Sequence, residues 1–525
     1  MATVSARTLI SNVASLFSGR WGAITERAKE AGCSRQAIYQ QEERVVQAVQ
    51  DAQGGGPTRA ESQAENDRVR EENQQLWAAL ETAVDFPLAK QKQFAVTASA
   101  MGLSLQQIAV LLAIVLPRAG CPKRSTLGRW VAQAAQKAGQ LLQVLDRACQ
   151  TLVVTLCLDE IFLRRRPVLM GVEPHRMAWV IGQRTVDRTG ETWCAALTPW
   201  QRVTYAAVDG GSGLRRGLEL TYPQRQQAGP PLPLQTNLDN FHIQQEGQKA
   251  LRAEWQEAER VWQKAEQADR AVAARDRHGQ DNRGVKTTAR AAWARAEAVY
   301  LAAERREAAF RRVVAALGLF QPGGSINERV WASAEIEAAV QDLPGWRWAK
   351  FCRMARDVRA LTFLDRLQRE LQEAEPDVAL RAALLQLWRA RHPQRSGKGV
   401  SPGARRDPAL VTIRTLVCQK LDLNWQAAYV RVARVLRRTV RASSVVECMN
   451  SVLRMHQARH RGLSQRLIDL KRLYWNCRSF AEGKRRNHCP YEHLALALPT
   501  YEFWGLLQMT PQELEQKLSN FEIAQ

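Results

Sequence analysis

Cysteine is sparse and scattered, ten residues in 525 with no CxxC pair. That spacing excludes a zinc ribbon and gives no disulfide framework, so the thiols read as buried residues of a reducing compartment and no structural zinc is expected. Long apolar runs are missing too. The longest, residues 108–116, falls far short of the roughly 20 residues that a bilayer span requires. The N-terminus lacks a charged start followed by an apolar stretch and a cleavage site, so a cytoplasmic chain with no membrane partner is expected. Proline is scarce at 20 residues, while 45% of the chain is hydrophobic and 16 residues are Trp, a composition that excludes wholesale disorder. Acidic side chains are the last shortage. Against 75 Lys and Arg stand only 52 Asp and Glu, a net charge of +23, which makes a polyanion, nucleic acid first, the expected partner and the nucleoid the expected place.

At about 150 residues per domain the length accommodates roughly three to four domains. Residues 1–50 carry Ala28, Gly32 and Ile38 at offsets 0, 4 and 10. This is the packing skeleton of a helix-turn-helix: a small residue at the crossing, a glycine in the turn, and an aliphatic that docks the second helix. Arg35, Gln36 and Tyr39, with Gln40, then face outward where base edges and phosphates are reached; a helical hairpin without a DNA role fits the same skeleton. Residues 51–92 open with a GGGP break and continue with Val69, Asn73, Leu76, Leu80 and Ala83 at 4, 3, 4, 3 spacing, a short coiled-coil seam or a helix lying on its own domain. Residues 93–148 read as a second helix-turn-helix, its recognition helix capped near Ser125 and bearing Lys123, Arg124 and Arg129.

Strand signals begin at Thr151. TLVVTLCLDEIFL is a β-branched apolar run ending in an acidic pair, and further strands are expected in RMAWVIGQRTV, ETWCAALTPW and RVTYAAVDGGSGL, followed by a short buried run in LPLQTNLDNFHI. Residues 149–243 and 441–490 thus form two parts of one core. Residues 244–440 read as an all-helical insertion, including a candidate long hairpin from its first two arms, and residues 491–525 as a helical tail. Asp159 lies at the end of the first strand signal, Asp209 ends the last and opens a glycine-rich turn, and Glu447 begins a helix beyond the insertion. Three carboxylates converging on one crevice supply the hard oxygen ligands for two Mg²⁺ or Mn²⁺ ions, a site suited to phosphodiester chemistry. Glu160 competes with Asp159, since adjacent strand residues point to opposite faces.

The ordered set LCLDEIF, VDGGSGLRRGLE, LDNFH and SSVVECMNSVLR, with a helical insertion before the last, resembles the DDE-type DNA transposases, which have an RNase H-like catalytic domain. The resemblance covers about residues 150–490. It implies an α/β RNase H-like catalytic core with a large all-α insertion, preceded by all-α helix-turn-helix DNA-binding domains. Asp159, Asp209 and Glu447 are then the catalytic metal ligands. Asp239 and His242 are accessory, with Asp239 the rival of Asp209, and Asn450 shares the Glu447 helix face. The basic stretch after Glu447, including Arg454, Arg459 and Arg461, tracks phosphates. Trp346 or Trp348 stacks an unpaired base. The implied partners are double-stranded DNA, both element ends and target, and a second copy of the chain in a dimer or larger assembly. A DNA-binding regulator without catalysis and a structure-specific nuclease are the alternatives.

Overall fold

The computed structural model describes residues 6–17, 22–52, 59–83, 86–116, 121–227, 234–392, 407–459 and 462–523. Two compact units result, Met1–Pro87 and Leu88–Gln525. In the first, α1 (Ala6–Phe17), α2 (Ala23–Glu30) and α3 (Arg35–Ala52) precede α4 (Arg59–Ala83). Ala28 and Ile38 are buried between the helices, and Gly32 takes a φ of 62° in the α2–α3 turn, a conformation that costs glycine little. Asn12 locks the trio by accepting from Arg27 Nε at 2.8 Å and donating to Gln41 Oε1 at 2.7 Å. In α4, Val69 and Asn73 are exposed; the side chains of Leu76, Leu80 and Ala83 lie outside the described residues, as does most of the GGGP break.

The second unit opens with α5 (Leu88–Met101), α6 (Leu105–Val115) and α7 (Arg124–Gln150). Lys123, not Ser125, stands at the cap of α7. There follow β1 (Thr155–Leu163), β2 (Arg166–Glu173), β3 (Ala178–Arg184), α8 (Gly190–Leu197), β4 (Tyr205–Val208), α9 (Ser212–Gln227) and β5 (Gln235–Leu238). One five-stranded sheet has the order β3-β2-β1-β4-β5, with β2 antiparallel to β1 and β3, and β4 parallel to β1 and β5. From β5 the chain runs through α10 (Asn240–Arg277), α11 (Arg283–Ala316), α12 (Arg329–Val340), α13 (Trp346–Ala355), α14 (Thr362–Ala374), α15 (Val378–Arg391), α16 (Pro408–Leu421) and α17 (Trp425–Arg438). It ends in α18 (Ser444–Arg459), α19 (Gln465–Cys477), α20 (Pro490–His493), α21 (Phe503–Gln508) and α22 (Pro511–Ile523).

With 71% of the described residues helical and the strands confined to one small mixed sheet, the expected α/β RNase H-like core is corrected to a predominantly helical protein; the large all-α insertion is compatible with it. One source of the error is local. ETWCAALTPW, read as a strand from its Trp and Cys, is helix α8. Thr189 caps it by accepting from Thr192 N, and Glu191 sits in its first turn, cues that at eight residues outweigh any periodicity. Conversely RPVLMGVE is strand β2, unread in the sequence because its turn is disguised. Arg164 and Arg165 both adopt positive φ, 50° and 64°, the two-residue hairpin geometry that usually takes Asn-Gly. Arg165→Gly is therefore expected to raise stability by about 1 kcal/mol by relieving the left-handed strain, read as a higher thermal midpoint; no rise would mean that the Arg165 side chain compensates in full.

The sheet is covered on both faces, and strand alternation sorts β1 between them. Leu156 and Leu158 pack with α7, Trp193 of α8 and Leu470 and Leu473 of α19. Cys157, Ile161 and Leu163 pack on the other side with Val446, Met449 and Leu453 of α18. A separate helical core, containing Phe310, Trp348, Phe351 and Leu384, holds the insertion together. Among the described residues no helix is long and apolar enough to cross a membrane.

Candidate metal centre

Register lines up three acids. Leu158 pairs with Val208 and Val208 with Leu238 across parallel β1, β4 and β5. The next residue in each chain segment is Asp159, Asp209 or Asp239. Asp159 shares the β1 face of Cys157 and Ile161, toward α18, and is buried. Glu160 points the other way, where Arg188 and Trp193 Nε1 (3.2 Å) hold its carboxylate. The pleat thus decides between the two adjacent acids.

Glu447 is brought to Asp159 by a strap, residues 440–443, bonded to side chains projecting from the parallel strands and to the start of α10. Tyr205 OH donates to Val440 O at 2.7 Å, Asn240 N to Arg441 O at 3.0 Å, and Cys157 Sγ to Ala442 O at 3.7 Å. Buried Ser443 donates from Oγ to Asp239 Oδ2, and its carbonyl accepts from Val446 N at 2.7 Å at the start of α18. Sequence reading missed Ser443 because a serine before an acidic helix turn reads simply as a cap.

One ligand atom each from Asp159, His242 and Glu447 falls within 4.8 Å of the others. His242 Nε2 lies 3.8 Å from Glu447 Oε1, while its Nδ1 lies 2.7 Å from Asp239 Oδ2. Asp239 is fully buried, caps α10 by accepting from Phe241 N at 2.8 Å, and also bonds Ser443. Its bonds hold Phe241 N, His242 and Ser443 in place. Asn450, one turn along α18 from Glu447, donates from Nδ2 to Asp159 Oδ2 at 2.8 Å. Arg454, one turn further, sets Nη1 3.7 Å from Glu447 Oε2. Asp209 is half-buried and stands outside the tight trio; its Oδ1 accepts from Gly211 N at 3.0 Å in the following turn.

Burial pushes the Asp159 carboxyl up to about 7; the Glu160 N–H opposes this, Asp209 adds like charge, His242 opposes it and Glu447 adds to it. For His242, burial works against the charged ring, but the hydrogen bond and charge of Asp239, with Asp159 and Asp209, raise it to about 9. A buried carboxylate crowded by further carboxylates carries an electrostatic deficit that a cation relieves. The donors fit a divalent ion: two carboxylates, and an imidazole that coordinates through Nε2 once a cation displaces the Nε2 proton, its Nδ1–H being held by Asp239.

The remaining sequence-derived residues are spread more widely. In the N-terminal unit, Arg35, Gln36 and Tyr39 lie exposed on the first turns of α3. Lys123, Arg124 and Arg129 are exposed at the start of α7, whose later turns are built into the sheet-covering core. Arg459 closes α18, with its side chain outside the described residues, and Arg461 lies outside them altogether. The basic stretch beyond is not one phosphate track. Lys471 is buried and donates to Ser99 O at 2.9 Å; buried Arg472 donates to Val180 O at 2.6 Å and bonds Asp146. His456 lies 2.9 Å from Met101 O, so Lys471 and His456 satisfy carbonyls at the C-terminus of α5. Trp346 is 83% exposed, whereas Trp348 is 0% exposed and is corrected from a base-stacking candidate to a core residue.

Compared with known protein families the chain matches no family model, and no curated protein matches it.

Proposed function

We propose that the chain is a DNA transposase of the DDE type, which binds the ends of a mobile element and catalyses divalent-metal-dependent DNA cleavage and strand transfer. The observation that carries this reading is the meeting of Asp159 from β1 with Glu447 and Asn450 from α18, Asn450 lying 291 positions further along the chain, while Asp209 ends the neighbouring strand. The net charge of +23 and the exposed basic start of α7 favour a polyanionic substrate.

In this reading Asp159 and Asp209 would hold two Mg²⁺ or Mn²⁺ ions, with Glu447 completing the ligand set. Bound ions supply charge neutralisation at the scissile phosphate and lower the pKa of attacking water. Asn450 fixes the Asp159 carboxylate through its 2.8 Å bond. Asp239 and Ser443 orient His242, which lies 3.8 Å from the Glu447 carboxylate. Arg454, half-exposed beside Glu447, is placed to meet a phosphate oxygen. The exposed Trp346 takes the base-stacking role, and a second copy of the chain completes the synapse of two ends.

The test is cleavage and joining of end-labelled DNA carrying the element's own ends, with Mg²⁺, Mn²⁺ or chelator. Metal-dependent nicking at the end, followed by joining to target DNA, is expected. Specific end binding without metal-dependent chemistry would replace this reading with a DNA-binding regulator, and cutting without joining with a nuclease.

A further inference from the structure

Helix α16 has two apolar faces, and the protein uses one of them. Val411, Thr415 and Cys418 turn toward the helical core, where Cys418 is buried and Val411 packs. On the opposite side Leu410, Ile413, Leu416, Val417 and Leu421 lie exposed, continued by Leu423 just past the helix; Ile413 is 56% and Leu416 58% accessible. From these accessibilities the six side chains present roughly 600 Å² of apolar surface, at the upper end of what a monomer's largest patch usually shows.

Spacing gives this face a form. Leu410, Ile413, Val417 and Lys420 follow one another at 3, 4 and 3 residues, a coiled-coil seam with a lysine at its last position. Residues 393–406, which lead into α16, contain a single large aliphatic, Val400, too few apolar groups to match this face.

We propose that this face of α16 is a homodimer interface, occupied by α16 of a second copy running antiparallel. Two such faces together offer at most about 1,200 Å² from these six residues alone, the size range of a specific interface, which needs roughly 1,000 Å². Antiparallel a-to-d pairing sets Ile413 against Val417 of the second copy and lays the Lys420 stem along the second copy's Leu410. The ammonium then reaches the turn holding Asp407. Asp407 spends Oδ1 on capping α16, accepting from Ala409 N and Leu410 N, and its other carboxylate oxygen has no part in that cap. The pairing therefore matches apolar to apolar and Lys420 to Asp407 twice over, as two-fold symmetry demands.

Sedimentation of the full chain over a concentration series, from nanomolar to tens of micromolar, tests this without DNA and so independently of the proposed chemistry. The parent is expected to dimerise, and Ile413→Glu/Val417→Glu to raise the dimer dissociation constant roughly 100-fold, tenfold per residue. Since both side chains are exposed in one copy, the circular dichroism spectrum should match the parent's, and so should the melting temperature at concentrations where both proteins are monomers. Under oxidising conditions Ile413→Cys/Val417→Cys should form a covalent dimer that the parent, with its native cysteines, does not. A parent monomeric throughout overturns the proposal, whether residues 1–87 or another protein then covers the face. So does an unchanged dissociation constant in the glutamate variant, or a persisting dimer that the cysteine pair fails to link.

Discussion

Asp159→Asn and Glu447→Gln are each expected to reduce metal-dependent DNA cleavage by about a thousandfold while end binding is retained. Both substitutions keep the side-chain shape and delete the charge that holds a cation. Metal ions contribute several kcal/mol of transition-state stabilisation, and each 1.4 kcal/mol or so is a factor of ten in rate. Asparagine at 159 still accepts from Glu160 N with its carbonyl oxygen, the 2.7 Å bond of the parent, while its amide nitrogen faces Asn450, which keeps a bond by turning its own amide to present Oδ1. The buried carboxylate is also an electrostatic cost without a cation, so the metal-free variant should melt no lower than the parent. Asp209→Asn belongs with this pair if it shares the second ion. Asp239→Asn should differ in kind, lowering stability as well as activity, because it loosens His242, Ser443 and the cap of α10 together. Cleavage rates and melting curves on the same four proteins separate these outcomes. An Asp159→Asn or Glu447→Gln protein that cleaves like the parent would remove the metal-centre assignment.

Trp348→Ala is expected to destabilise the insertion by about 3–5 kcal/mol, the usual cost of emptying a fully buried aromatic site. Its ring packs against Phe310 and Phe351, with centroids 6.2 and 5.7 Å away, and none of it reaches solvent. Trp346→Ala, two residues earlier, should change stability by less than about 0.5 kcal/mol, as exposed positions do. If Trp346 stacks a base, its loss instead weakens binding or cleavage of distorted end DNA. Calorimetry of the two variants beside the parent reads the first contrast, since several cores make a single two-state transition inappropriate. A Trp348→Ala protein that melts like the parent would contradict its place in the core.

Asp159 and Glu447 are legible in the sequence because each acid stands in a strongly patterned apolar segment, and Asn450 because it follows Glu447 by one helical turn. The first helix-turn-helix skeleton was legible for the same reason: Ala28, Gly32 and Ile38 act within a few residues of one another, and burial and a positive φ fall at those positions. Elements without a clean local pattern were misread. Helix α8 is too short to display a period, and the β1–β2 turn uses two arginines where the usual signal is Asn-Gly. The class of the whole fold was misjudged because strand signals stand out more than their share of the chain, while the helices around the sheet hold most of it.

Local pattern by itself determined the basic character of the chain, most of its helices, strand β1 and the short list of acids, because charge balance, caps and side-chain periodicity act over a few residues. Tertiary structure alone decided which members of that list meet. Strand pleat turned Asp159 toward α18 and Glu160 toward Arg188. The strap at residues 440–443 set Glu447 beside Asp159 across a long helical insertion. Packing hid Trp348 and Lys471 and left Trp346 and the second face of α16 in solvent. Most of those outcomes depend on contacts between residues tens to hundreds of positions apart, which no short window of neighbouring residues contains.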